Sequence, residues 1–227
     1  MTEKKLTAKL SHYQWAVIVA ILVVVLDQIL KIWVKTSFYL GQEREITSWF
    51  RLCFIENNGM AFGWQLGSKI FLTLFRVVFV GVLVYYLVKL KNSPGIKMGY
   101  LLCVSLVIAG ALGNIIDCMF YGLIFNDPMP TAVATMFPEG GGYAPFLQGR
   151  VVDMLSFPLF SFNWPDWVPV VGGEHFEFFK PIFNLADAAI SCGIIAVILF
   201  YSKQLAYSFA ELKRMREEKK NKSSQQN

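Results

Sequence analysis

Charge is scarce in this chain. Asp, Glu, Lys and Arg make up 16% of its 227 residues, against about 25% in a soluble domain. So few ionised groups cannot solvate a water-facing surface of this apolar content. Histidine is scarcer still, with only His12 and His175, far apart and without ligand-like neighbours, which argues against a metal centre. The four cysteines, Cys53, Cys103, Cys118 and Cys192, form no C-x-x-C pair. Three fall inside apolar runs, where Cys behaves as a small hydrophobe, so neither a disulfide framework nor a zinc site follows. The net charge of +5 does not imply nucleic acid. Its basic residues cluster beside apolar segments, which is a pattern of membrane topology.

What the chain has is apolar length. Hydrophobic residues reach 55%, with 20 Phe and six Trp, and the mean hydropathy is +0.47. A helix crosses a bilayer core in about 20 mostly apolar residues, and four stretches meet that length, over about 13–34, 70–90, 98–121 and 182–207. The expectation is one integral membrane domain over 1–227, α-helical with four transmembrane helices. Of the 21 Lys and Arg, 13 lie before the first span, at Lys89 to Lys97 around the junction of the second and third, or from Lys203 onward at the end of the fourth. The positive-inside rule then places both termini in the cytoplasm. The first apolar run is too long for a cleavable signal peptide, and no A-x-A-like site follows it.

Two extracytoplasmic regions remain. Residues 36–68 include Glu45 to Ile55, rich in β-branched and aromatic residues, and predict short strands. Residues 122–181, between spans three and four, read as a long ordered loop lying on the membrane interface. The cytoplasmic tail, 208–227, is charged and then polar, and from about Glu211 predicts a helical extension that frays.

The polar residues inside this apolar chain carry the chemistry. An acid within lipid-length sequence costs several kcal/mol unless it is partnered or used. Asp27 and Lys31 are four apart and can pair on one helix face, which reads first as neutralisation of span one. Asn114 and Asp117 share a face of span three, where Gly110 and Gly113 permit close helix approach. Asp117 reads as an interhelical clamp, and Asn114 as an amide free to reach a peptide backbone. Residues 56–63, Glu-Asn-Asn-Gly-Met-Ala-Phe-Gly, form a turn signature. Asp153 and Asp187 have no base at helical spacing; Arg150 is the nearest to Asp153. Topology places all these residues near one membrane surface. If the two acids approach each other, repulsion lets the pair hold one shared proton near neutral pH. One can then activate water while the other polarises a carbonyl, as in aspartic proteases. A small proton-coupled transporter is the rival, but the inner halves of spans two and four, Val82 to Val88 and Gly193 to Leu199, have no Asp, Glu, His, Lys or Arg.

Five pieces, in order, resemble those of lipoprotein signal peptidase (signal peptidase II), a bacterial aspartyl peptidase family. They are Asp27-Gln28-Ile29-Leu30-Lys31, Asn57-Asn58-Gly59-Met60-Ala61-Phe62, Gly110 through Asp117, Val151-Val152-Asp153 and Phe183-Asn184-Leu185-Ala186-Asp187. The resemblance implies a four-helix membrane fold with a small extracytoplasmic β-cradle. It implies an endopeptidase of the bacterial inner membrane, its site near the outer leaflet, that cleaves diacylglyceryl-modified prolipoproteins before the lipidated cysteine. By position, Asp153 and Asp187 are the catalytic pair. Asn57, Gly59, Asn114, Asp117, Asn184 and Ala186 are binding or positioning residues, and Asp27 and Lys31 give structural support. No cofactor, metal or nucleic acid is implied. The partners are the lipidated substrate, membrane lipids and the cyclic peptide inhibitor globomycin, with the protein a monomer. Two departures stand out: Cys118 occupies a position where the family usually has Arg, leaving Arg150 as a candidate partner for that region, and the intervals on both sides of Asp153 are long.

Overall fold

The computed structural model describes residues 10–58, 69–91 and 93–225. Helix α1, His12–Ser37, starts at a capping box. Ser11 Oγ accepts from the Gln14 amide at 3.2 Å, and Gln14 Oε1 accepts from the Ser11 amide at 2.8 Å. Most of α1 is apolar, but Asp27, Lys31 and Lys35 lie fully buried on the face turned inward. Helices α2, Lys69–Leu90, and α3, Met98–Ile116, follow. Helix α3 runs on through a π-turn, Asp117–Tyr121, and a short α4, Gly122–Ile124. Much of α1 and α2 presents large apolar side chains outward, such as Ile21, Phe71 and Val78, whereas α3 is mostly enclosed.

Two glycines of α3 are there for closeness. A Cβ on Gly110 would meet the Ala186 carbonyl oxygen at 2.2 Å, and one on Gly113 would meet Asp27 Oδ2 at 2.6 Å. The close helix approach read from the sequence is therefore present, and it brings α1, α3 and α5 into one polar junction.

Helix α5, Leu185–Phe200, and α6, Ser202–Ser224, divide the run expected as one span over 182–207. The two meet at Tyr201 with a bend of 89°. Ile182–Phe183 pairs as a strand, so the helix cannot begin before the Asn184 cap. Beyond the bend, Tyr86, Tyr100 and Ser208 join their hydroxyls, and Tyr207 donates to the Pro94 carbonyl at 2.6 Å. These contacts hold α6 across the ends of α2 and α3. The tail expected to fray is helical to Ser224. By length and composition, three helices can cross a membrane, and the bent α5–α6 pair makes up to four.

The sheet caps the opposite end of the helices. Strands β1, Glu43–Thr47, β2, Phe50–Asn57, β3, Val151–Ser156, and β6, Ile182–Phe183, form an antiparallel sheet in the order β1-β2-β3-β6. Ile55 faces Asp153, and Asn57 faces Val151. Beneath it, Val34, Phe38, Phe54, Tyr121, Phe125, Val152 and Met154 form a buried apolar cluster. Strands β4, Phe160–Asn163, and β5, His175–Phe178, pair as a separate ribbon. The region read as a long loop thus holds three strands, β3 to β5, with β6 directly after it. Val-Val-Asp-Met-Leu finds β2 as a partner, and the alternation Phe-Ser-Phe-Asn finds its complement in His-Phe-Glu-Phe.

Candidate active site

Asp153 is positioned by sheet pairing. Its strand is buried on both sides, and its own exposure is 2%. Asp187 is positioned by a helix start. Asn184 caps α5, its side-chain oxygen accepting the Asp187 amide at 2.8 Å. That puts Asp187 in the first turn, where the helix dipole favours negative charge. The same Asn184 donates from Nδ2 to Asp153 Oδ1 at 2.6 Å. One asparagine therefore holds both acid-bearing positions together.

The environments of the two acids differ. Asp153 is pushed up to about 7, first by burial and next by the charge of Asp187, against the hydrogen bonds of Asn184 and Asn57. Asp187 is half-buried, and Asn114 donates to its Oδ1 at 2.7 Å. An acid that keeps its proton near neutrality beside a second carboxyl is the arrangement required for water activation.

Below the pair lies a buried junction centred on Lys31. Its ammonium reaches Asp27 Oδ2 at 2.9 Å, Asp117 Oδ2 at 2.7 Å and Asn114 Oδ1 at 2.9 Å. Asp27 Oδ1 accepts the Ala186 amide at 2.9 Å, so α1 receives a free N–H from the first turn of α5. Asp117 also accepts from Gln28 at 2.9 Å and from the Val152 amide at 3.3 Å, which joins α3 to β3. The clamp expected of Asp117 and the pair expected of Asp27 and Lys31 are both present.

Asn114 departs from expectation. Its oxygen takes Lys31 and Asn184, and its nitrogen takes Asp187, so its amide is engaged within the protein. Arg150 departs too. It binds Glu56 at 3.1 Å and Asp127, while Lys31 supplies the charge beside Asp117. Cys118 is buried, with Arg76 Nη1 of α2 at 3.6 Å from its sulfur. Gly59 lies outside the described residues, whereas Asn57 reaches Asp153 as noted. Ala186 is fully buried against Gly113.

Sequence reasoning missed two things. Gln28, inside a motif already singled out, bridges Asp117 and the Tyr121 hydroxyl. A second ionic junction joins buried Lys35 to Glu56 and onward to Arg150 and Asp127, with Tyr143 packed on both cations. Lys35 lies one turn beyond Lys31 on the same helix face, which is the one signal that could have found it. Among the described residues no group of acids, histidines and cysteines could hold a metal ion.

A family model described as signal peptidase (SPase) II matches residues 19–203. A lipoprotein signal peptidase of Porphyromonas gingivalis is 48% identical over 186 residues, covering 82% of each chain. One from Amoebophilus asiaticus is 37% identical over 187 residues, covering 80% of this chain and 75% of that one. Two solved structures described as bacterial membrane enzymes share the fold. The first has a TM-score of 0.57 at 23% identity, covering 85% of this chain and 90% of that chain. The second has a TM-score of 0.54 at 25% identity, covering 82% and 90%. With the match extending over most of its length, the chain belongs to the signal peptidase II family.

Proposed function

We propose that this protein is a membrane aspartyl endopeptidase that removes signal peptides from diacylglyceryl-modified prolipoproteins, cutting before the lipidated cysteine. The observation that carries the reading is Asn184, which bonds the Asp153 carboxyl and the Asp187 amide at once. Asp153 holds the shared proton and Asp187 the charge. Asp187 takes a proton from water, which attacks the scissile carbonyl, while Asp153 donates to the carbonyl oxygen. The tetrahedral intermediate collapses as Asp187 passes its proton to the leaving nitrogen and Asp153 takes one back from the intermediate's hydroxyl. This chemistry uses no metal or covalent intermediate. Asn57, Asn114, Asn184 and Asp117 position the pair, with Gly59 and Ala186 shaping its surroundings and Asp27 and Lys31 bracing it.

In this reading the whole chain is one integral domain of the bacterial inner membrane. The bent α5–α6 pair supplies the fourth span, both termini are cytoplasmic, and the sheet lies at the outer leaflet. Globomycin would compete at the same site, and the protein would work as a monomer among lipids. A proton relay has less support. Between Tyr100 and Asn114 of α3, the only hydroxyl is Ser105, which donates to its own helix at Leu102.

The test is cleavage of a lipidated prolipoprotein by Asp153→Asn and Asp187→Asn, each shown to be folded. Each change is expected to slow turnover by about 10³-fold or more. Near-normal turnover by either would remove that residue from the mechanism.

A further inference from the structure

The β4–β5 ribbon has two unlike faces. Register places Phe160 opposite Phe178 and Phe162 opposite Phe176, with ring centroids 4.8 Å and 5.1 Å apart. The alternate positions are Ser161, Asn163, His175 and Glu177, so the other face is polar. Phe160, Phe162 and Phe178 are exposed, and Trp164 extends the aromatic face. The ladder closes in a turn over residues 165–173, where Trp167 is 81% exposed and Val170 is 97% exposed. The turn's outermost run, Trp-Val-Pro-Val-Val, carries no charge.

A bare two-stranded ribbon is marginal in water, and an aromatic face with an apolar tip makes exposure costlier. Something covers it. Three observations point to lipid. The ribbon's feet stand at a membrane boundary, because β6 leads directly into the Asn184 cap of the apolar helix α5. Its aromatic content, with Trp at the tip, is that of side chains that settle at bilayer interfaces. Between Arg150 and Lys180 there is no Lys or Arg, so the ribbon has no cation with which to grip an acidic protein surface.

We propose that the β4–β5 ribbon is a lipid-contacting arm, its tip at residues 167–171 entering the interfacial zone of the bilayer. The arm has a further consequence, which rests on the proposed dyad. One strand runs back through β3 to Asp153, and the other through β6 to Asn184 and Asp187. Arg51 of β2 reaches Glu177 at 3.4 Å, tying the arm to the sheet. Through these connections the arm joins the sheet and the helix start that carry the two acids.

The experiment uses the full chain in zwitterionic phosphatidylcholine nanodiscs, with Trp15, Trp33, Trp49, Trp64 and Trp164 changed to Phe. Replacing the lipid by one brominated near the glycerol end of its chains is expected to lower Trp167 emission by about half. Aqueous iodide should quench it weakly. If five substitutions prevent folding, Trp167→Phe alone in the otherwise native chain gives the same answer by difference. Strong iodide quenching with no effect of bromination would overturn the proposal. So would shielding that appears only on adding prolipoprotein, which makes the substrate the occupant, or shielding that rises with protein density, which makes it a second copy. No activity is read, so failure of the dyad reading leaves the result unchanged.

Discussion

Two buried lysines one helical turn apart on α1 organise two different junctions. Lys31 faces two aspartates, Asp27 and Asp117, and an asparagine that touches Asp187. Lys35 faces one carboxylate, Glu56, which it shares with Arg150, and that arginine turns outward to Asp127. The first junction is enclosed by helices and ends at the candidate dyad. The second fastens α1 to β2 and reaches solvent. A buried ion pair is weak evidence for stability but strong evidence of cost when half is removed. The difference between the junctions is therefore one of substitutes: Glu56 keeps Arg150 if Lys35 is lost, but among the described residues Asp27 and Asp117 have no second cation.

The largest expected effect follows from that. Lys31→Ala leaves two buried carboxylates uncompensated and should cost about 3–5 kcal/mol of stability, together with peptidase activity. Lys35→Ala should cost roughly half as much, since Glu56 retains one of its two cations. Chemical denaturation in a fixed detergent compares the two. Equal losses would mean that Arg150 does not stand in.

Asn184→Ala probes where the first junction meets the chemistry. It removes the donor on Asp153 and the cap of α5 together. The cap contributes about 1 kcal/mol, whereas loss of the bridge should lower turnover by about 10²-fold. Asn114→Ala removes the donor on Asp187 and the acceptor shared by Lys31 and Asn184, and leaves the α5 cap in place; it should lower turnover too. A fall in stability without a fall in kcat would place these asparagines in the scaffold alone.

Asp153 gives the first junction a pH signature. Its folded value, about 7, lies above its ordinary value of 3.8. The folded state thus prefers the protonated acid. The stability this contributes is fully present below pH 3.8 and is lost as pH rises through 7. Asp153→Asn should therefore stabilise the fold at pH 8 by roughly 1 kcal/mol or more, while leaving it little changed at pH 4. Activity of the parent protein should fall above neutrality as the shared proton is lost. Melting curves at the two pH values check the sign.

Much of this was legible in the sequence for a physical reason. Asp27 and Lys31, and Asn114 and Asp117, lie at helical spacing, so secondary structure alone fixes a shared face. Gly110 and Gly113 marked the close approach. Acids costly in apolar sequence drew attention to Asp153 and Asp187. The Lys35 junction was hidden because Glu56, Asp127 and Arg150 come from a strand and two loop segments whose meeting depends on tertiary folding. Asn114 was misread as free because its partners, Lys31 and Asp187, lie on two other helices. The bend at Tyr201 was hidden because the sequence turns polar at Ser202-Lys203-Gln204, as at any span end, and does not register the hydroxyl contacts that turn α6 aside. The β4–β5 ribbon was hidden by Gly, Pro and aromatic content that reads as loop until the alternation on both sides of the turn is paired.

The smallest effect belongs to the outermost contact of the second junction. The Asp127 side chain is 66% exposed and that of Arg150 is 23% exposed. An ion pair so open to water contributes about 0–1 kcal/mol and is screened by salt. Arg150 also keeps Glu56 and its stacking on Tyr143, at 4.3 Å to the ring centroid. Asp127→Asn should therefore change stability by less than about 1 kcal/mol, with the difference vanishing at high salt. A loss as large as that of Lys35→Ala would show that the junction is held from its outer end, and the contrast between an enclosed junction and an open one would fall.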